Sequence, residues 1–94
     1  MPTDAYIQHL EDRLATVDAQ LARARTAIDE GLSEDRSKAL ETWTHLKQRH
    51  EDLAGRIAAA RKDGASDWSA LHTSFREEAD ALSDTLESWL TRLT

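Results

Sequence analysis

The chain has 94 residues, a net charge of -6 from 12 Lys and Arg against 18 Asp and Glu, and no cysteine. This length predicts one small domain without a deep catalytic cleft, and the missing cysteines exclude disulfides and thiolate sites. The acidic balance argues against binding nucleic acid or an anionic membrane through a broad positive surface. No apolar run approaches about 18 residues and no signal-peptide core follows Met1, so we expect a cytoplasmic location.

The first predicted helix spans about residues 4–30. Its apolar side chains recur at alternating steps of three and four residues, the spacing of a coiled-coil heptad. They are Ile7, Leu10, Leu14, Val17, Leu21, Ala24 and Ile28. Pro2 and Thr3 suit a helix start, and Gly31 can take the left-handed conformation that ends a helix.

The second predicted helix spans residues 34–62. Ser33 is its predicted N-cap, because the hydroxyl can accept a hydrogen bond from an unpaired amide. Glu34 and Asp35 follow as acids at the positive end of the helix dipole, and Gly64 ends the segment. The apolar stripe consists of Ala39, Trp43, Leu46, His50, Leu53, Ile57 and Ala60.

The third predicted helix spans residues 67–92, with Ser66 as its N-cap and Asp67 in its first turn. Its stripe contains Trp68, Leu71, Phe75, Ala79, Leu82, Leu86, Trp89 and Leu93. Nothing in the sequence indicates a strand. Short connections make consecutive helices antiparallel neighbours, so residues 1–94 are predicted to form a single all-α domain. Its predicted architecture is an antiparallel up-down-up three-helix bundle of coiled-coil character.

Charge differs between the three segments. Residues 1–32 hold six acids and three bases, residues 33–62 hold five and seven, and residues 63–94 hold seven and two, giving -3, +2 and -5. Like charges on the first and third helices predict that their contact is the weak one in the closed bundle. A partner helix or a second copy of the chain would then enter at that contact.

The four histidines do not match a specific metal-binding pattern. None has a glutamate three residues before it, the sequence contains no His-Glu-x-x-His, and no acidic loop has the calcium-binding spacing. We therefore expect no metal site and no cofactor.

His50 is the histidine that lies on an apolar stripe. Counting helical levels places it opposite Leu14 and Ala79, with Glu78 as a possible partner. We interpret it as a residue at the edge of the core that sets the helix register, as single polar residues do in coiled coils. A proton switch is the alternative, because burial or a neighbouring carboxylate can move a histidine across neutral pH.

Three tryptophans are conspicuous in a chain of this length. Level counting places Trp43 and Trp89 within about one helical turn of each other, near the first turn of the bundle. Trp68 is predicted at the opposite end, close to Tyr6 and Ile57. These side chains either fill the two ends of the bundle or include an exposed anchor for a partner, since aromatic residues dominate binding hot spots.

Catalysis is not expected. Hydroxyl side chains near His72, such as Thr73 and Ser74, belong on the outer face of a helix and lack a cleft. The basic side chains near the first turn, including Arg25 and Arg36, have no interleaved exposed aromatic residues, which favours pairing between helices over nucleic-acid binding.

The segment 64–71, Gly-Ala-Ser-Asp-Trp-Ser-Ala-Leu, follows the helical stretch 53–61 and precedes Phe75. With these residues the chain resembles a family of small bacterial coiled-coil proteins associated with stress responses. In that family a motif of the Asp-x-Trp-x-x-Leu type opens the last helix after a short turn. The resemblance covers nearly the whole chain and implies a three-helix layout without catalytic residues.

The leading hypothesis is a non-enzymatic structural or protein-interaction module, associated with stress, that acts through its helical faces. Its partner is an unknown protein or a second copy, and the candidate interaction or switch residues are Trp43, His50, Trp68 and Trp89. One alternative is a small ligand or metal carrier that uses His50 together with His45 or His72. Another is an amphipathic bundle that opens on a lipid surface, although the acidic charge makes a membrane partner the weaker expectation.

Overall fold

A computed structural model of the chain describes residues 2–31, 35–64 and 68–93, with the side chains of the first range described from Ala5 onward. Three helices make up nearly all of this part: α1 (Pro2–Asp29), α2 (Arg36–Lys62) and α3 (Trp68–Leu93). The described ranges contain no strand. The molecule measures 47 by 18 by 16 Å. The predicted all-α three-helix bundle is confirmed.

Contacts between helices establish the direction of each one. Hydrogen bonds between α1 and α3 join residues 63 to 67 positions apart from His9 to Gln20 of α1, so these helices are parallel. Residues joined between α1 and α2 instead run in opposite directions, since Trp43 meets Leu21 and the later Arg61 meets the earlier Glu11. The topology is therefore up-down-up. None of the described helices contains a stretch apolar enough to cross a membrane.

The start of α2 differs from the prediction. The helix begins at Arg36, two residues later than expected, because Asp35 is its N-cap. The carboxylate of Asp35 accepts a hydrogen bond from the Lys38 amide at 3.1 Å, which satisfies one of the unpaired amides of the first turn. The other residues predicted to begin α2 and α3 lie outside the described residues; they are Ser33, Glu34, Ser66 and Asp67.

Both predicted glycine helix ends are confirmed. Gly31 and Gly64 have φ values of 77° and 66°, in the left-handed region that disfavours a Cβ atom. The Gly31 amide donates to the Ile28 carbonyl at 3.0 Å, and the Gly64 amide donates to the Arg61 carbonyl at 3.2 Å. These bonds close the last turns of α1 and α2. The predicted ends of α1 and α3 agree with the structure to within two residues.

The core divides into two groups of apolar side chains, one near each turn. The first-turn cluster contains the buried residues Val17, Leu21, Ala24, Ala27, Ile28, Ala39, Leu46, Leu82, Leu86, Trp89, Leu90 and Leu93. The second-turn cluster contains the buried residues Leu10, Leu53, Ile57, Trp68, Phe75 and Ala79. Half-buried side chains surround the second-turn cluster, namely Tyr6, Ile7, Leu14, Ala60 and Leu71.

The prediction of a weak contact between the first and third helices is wrong. The interface of α1 with α3 is the most extensive of the three, and that of α2 with α3 is the smallest. Although both segments are acidic overall, two bases of α1 face acids of α3. Arg13 pairs with Asp80 at 2.7 Å, and Arg23 with Glu87 at 3.4 Å. The prediction used the net charge of each segment, which includes charged residues on every face of the helix. Only the residues on one face contact the neighbouring helix.

A buried glutamine adds to the same interface. Gln20 is 4% exposed, and its amide donates to the Glu87 carboxylate at 2.9 Å and to the Ser83 carbonyl at 3.4 Å. Its side-chain oxygen is buried without a hydrogen-bond partner. The sequence analysis did not single out this residue, because it lies beside the apolar stripe rather than on it.

Candidate functional site

The three tryptophans have different environments. Trp89 is buried in the first-turn cluster and Trp68 in the second-turn cluster, where Tyr6 and Ile57 accompany it as level counting predicts. Trp43 packs against the first-turn cluster but is only half-buried. Of the three candidates, Trp43 is therefore the one whose ring reaches the surface.

The indole edge of Trp43 that carries the N–H is fixed by a hydrogen bond to α1. Its indole N–H donates to the carbonyl oxygen of Leu21 on α1 at 2.9 Å. The Arg25 guanidinium carbon lies 5.1 Å from the ring centroid and the Lys47 ammonium lies 5.0 Å from it, both within cation–π range. The indole is thus fixed by a backbone hydrogen bond, while the cations beside it are carried on flexible side chains.

Trp43 lies in a shallow groove between α1 and α2, which we call the α1–α2 groove and define by Leu14, Ala22, Trp43, Ala54 and Ala58. The part around Trp43 is a cleft of about 430 Å³, and the part around Ala54 is a cleft of about 420 Å³. Ala22 and Ala58 are exposed, and the other three side chains are half-buried. The two clefts share no lining residue, and the residues of α2 from Trp43 to Ala58 that line them span about four turns.

Charged side chains line both ends of the α1–α2 groove. Arg25 and Lys47 lie at the Trp43 end, and Arg61 and Lys62 lie at the other end. Acids lie among them: Lys47 is 3.9 Å from Glu51, Arg61 is 3.0 Å from Glu11, and Arg25 is 3.2 Å from Asp29. Asp18 and Glu51 line the Trp43 end and Glu11 lines the other end, so acids and bases both border the groove.

His50 lines the same groove and is half-buried. Its Nε2 atom lies 3.1 Å from the Leu14 carbonyl oxygen, which confirms the predicted level of this residue. Because a carbonyl oxygen only accepts, Nε2 carries the hydrogen and donates it. Glu78, suggested as its partner, instead pairs with Arg56 at 2.6 Å. This cross-helix hydrogen bond suits a residue that sets register.

The structure brings together a histidine pair that the sequence analysis did not find. His9 on α1 and His72 on α3 have ring nitrogens 2.8 Å apart. The Tyr6 ring lies against His72, with ring centroids 4.8 Å apart and the planes tilted by 30°. Arg13 lies 3.4 Å from the second ring nitrogen of His9 and also binds Asp80. In the sequence, His9 and His72 are 63 residues apart. That separation indicates a contact only once the register of the two parallel helices is known.

The metal carrier considered from the sequence is not assembled in the described part of the chain. His50 bonds to the Leu14 carbonyl, His72 pairs with His9, and His45 is exposed on another part of α2. Within the described ranges, no three or more His, Cys, Asp or Glu side chains are placed to hold a metal ion.

Comparisons with models of protein families, with curated proteins and with solved structures found no match to this chain. The resemblance to stress-response coiled-coil proteins therefore remains a prediction from the sequence.

Proposed function

We propose that this protein is a non-enzymatic protein-interaction module and that the α1–α2 groove is its binding face. The observation that carries the proposal is the half-buried Trp43, whose indole is fixed to the Leu21 carbonyl within an apolar groove. Tryptophan is enriched among the residues that dominate binding energy. An indole that is already fixed loses little side-chain entropy when a partner covers it.

The groove suits an amphipathic partner helix. Two neighbouring antiparallel helices leave a straight apolar groove, into which a third helix can place side chains spaced three and four residues apart. The distance from Trp43 to Ala58 corresponds to about four turns. Both ends of the groove carry acids and bases, which favours a partner whose apolar stripe is bordered by charges of both signs.

A stress-associated role in the cytoplasm is part of the proposal and is supported by the sequence resemblance and composition. Self-association is the second form that the interaction can take. Both forms use helical faces and require no cofactor.

A pair of matched double variants tests the proposal. Ala22→Arg with Ala58→Arg fills the groove at two exposed positions, whereas Ala19→Arg with Ala59→Arg adds the same residues at exposed positions that do not line it. Arginine is a good helix former, so we expect both variants to fold. Circular dichroism checks that they do.

Affinity capture from native cell extract, compared across wild type and the two double variants, gives the readout. We expect a partner that wild type and the control variant retain and the groove variant loses, followed by a change in tryptophan fluorescence of wild type on titration with the purified partner. Light scattering over a concentration series detects self-association in the same three proteins. Capture and self-association that are identical in both variants would refute the groove as the binding face.

A further inference from the structure

The His9–His72 pair lies outside the α1–α2 groove and takes no part in the proposed binding. It joins the beginnings of the parallel helices α1 and α3 at the second-turn end of the bundle. Both imidazoles are half-buried, and Tyr6 covers His72 from one side. A titratable pair that spans an interface between helices links the protonation of the chain to its packing.

The partners of the two rings determine where the hydrogens lie. The Arg13 guanidinium only donates, so the nearby Nε2 atom of His9 accepts and carries no hydrogen. Neutral His9 therefore has its hydrogen on Nδ1 and donates it to Nε2 of His72. That atom must in turn be an unprotonated acceptor. The hydrogen bonds from Arg13 to His9 and from His9 to His72 thus require both imidazoles to be neutral.

Protonation of His72 breaks this arrangement. A proton on Nε2 of His72 would face the N–H of His9. If His9 moved its own hydrogen to Nε2 to avoid this, that hydrogen would face the N–H of Arg13. The new positive charge would also lie near Arg76 and Arg13, while the acid in this cluster, Asp80, is already bound to Arg13 at 2.7 Å. The charged state therefore loses a hydrogen bond and gains repulsion.

The electrostatics of His72 act in the same direction. Burial lowers its pKa below the ordinary value of 6.5, and the nearby His9, Arg76 and Arg13 lower that pKa further. These groups all belong to α1 and α3, and none of the groups that act on His72 belongs to α2.

We propose that the His9–His72 pair is an acid-sensitive clasp, which joins α1 to α3 while His72 is neutral and releases them when His72 takes up a proton. Release would loosen the second-turn end first, where Tyr6, Ile7 and Leu71 are only half-buried. The first-turn cluster has no histidine and would stay closed.

The pH range follows from linkage. The pKa of His72 is lower in the folded chain than the ordinary value of 6.5, so the unfolded chain binds the proton more readily. The contribution of the clasp to stability is complete above 6.5. It decreases as the pH falls below that value and stops decreasing below the folded pKa.

Urea unfolding at about pH 7.5 and about pH 5.5 measures this contribution in wild type, in the double variant His9→Gln with His72→Gln, and in His45→Gln. His45 is exposed on α2, so its replacement is the matched control. A chelator in every sample prevents metal capture by the imidazoles. Relative to the double variant, we expect acid to raise the unfolding equilibrium constant of wild type and His45→Gln by more than about twofold. The same pH dependence in all three proteins would overturn the proposal.

Nuclear magnetic resonance of the histidine rings tests the clasp without any variant. At about pH 7.5 we expect the hydrogen of both His9 and His72 on Nδ1, and on acidification we expect His72 to titrate below 6.5. Amide signals of Tyr6 and Leu71 should shift in the same titration. A His72 pKa at or above 6.5, or hydrogens on Nε2 of both rings, would overturn the proposal.

Discussion

The two ends of the bundle use the same repeat of apolar residues but are stabilised differently. Among the described residues, the first-turn cluster has twelve buried apolar side chains and the second-turn cluster has six. At the second-turn end, half-buried side chains and the His9–His72 pair contribute to the contact between α1 and α3. A heptad pattern therefore indicates which face of a helix is covered, but it does not indicate how completely each end is buried.

The largest expected effect is a core truncation at the first-turn end. Leu86 is completely buried, and Leu86→Ala should lower the free energy of unfolding by about 3 kcal/mol, through lost burial and the cavity left behind. Leu71 at the second-turn end is half-buried, and Leu71→Ala should cost about 1 kcal/mol. Urea denaturation of both variants measures the difference. Equal losses would show that the two ends are equally well packed.

A gain of stability is expected from Gln20→Met. The substitution removes a buried side-chain oxygen that has no partner and fills the space with an apolar side chain of similar length. It also removes the long hydrogen bond to the Ser83 carbonyl and the hydrogen bond to the Glu87 carboxylate, which is partly exposed and can be solvated instead. We expect a net increase of about 1 kcal/mol in the free energy of unfolding. A clear loss in urea denaturation would mean that the Gln20–Glu87 bond stabilises the interface more than the unpartnered oxygen destabilises it.

The smallest effects are expected from the ion pairs between α1 and α3. Arg13–Asp80 is shorter and less exposed than Arg23–Glu87, and Arg13 also donates to His9, so Arg13→Gln should cost about 0.5 kcal/mol and Arg23→Gln about 0.2 kcal/mol. Both losses should shrink in molar salt, which screens exposed charges. Thermal unfolding at low and high salt measures them. A larger loss for Arg23→Gln would reverse this ranking of the two pairs.

Much of the fold could be predicted because its signals are local. Period and glycine placement predicted three helices, and Gly31 and Gly64 have the left-handed conformation expected of helix ends. The position at which α2 begins was predicted less accurately. Ser33 and Asp35 are both favourable N-cap residues, and the sequence does not show which of them is used.

The candidate site could be predicted only in part. Counting residues along the antiparallel helices predicted that His50 lies opposite Leu14, and the two are in contact. Trp43 was one of three tryptophans considered as an anchor for a partner. That Trp43 reaches the surface while Trp68 and Trp89 are buried could not be predicted, because all three lie on apolar stripes.

The helices, the places where they end and the faces that form the core follow from local sequence, since these depend on neighbours three or four residues away. Which polar groups meet across the helices depends on tertiary packing. It joined His9 to His72 and Arg13 to Asp80, and it made the interface of two acidic segments the most extensive one. The physical reason is that such contacts depend on the register and rotation of whole helices, which are set by side-chain packing along their full length.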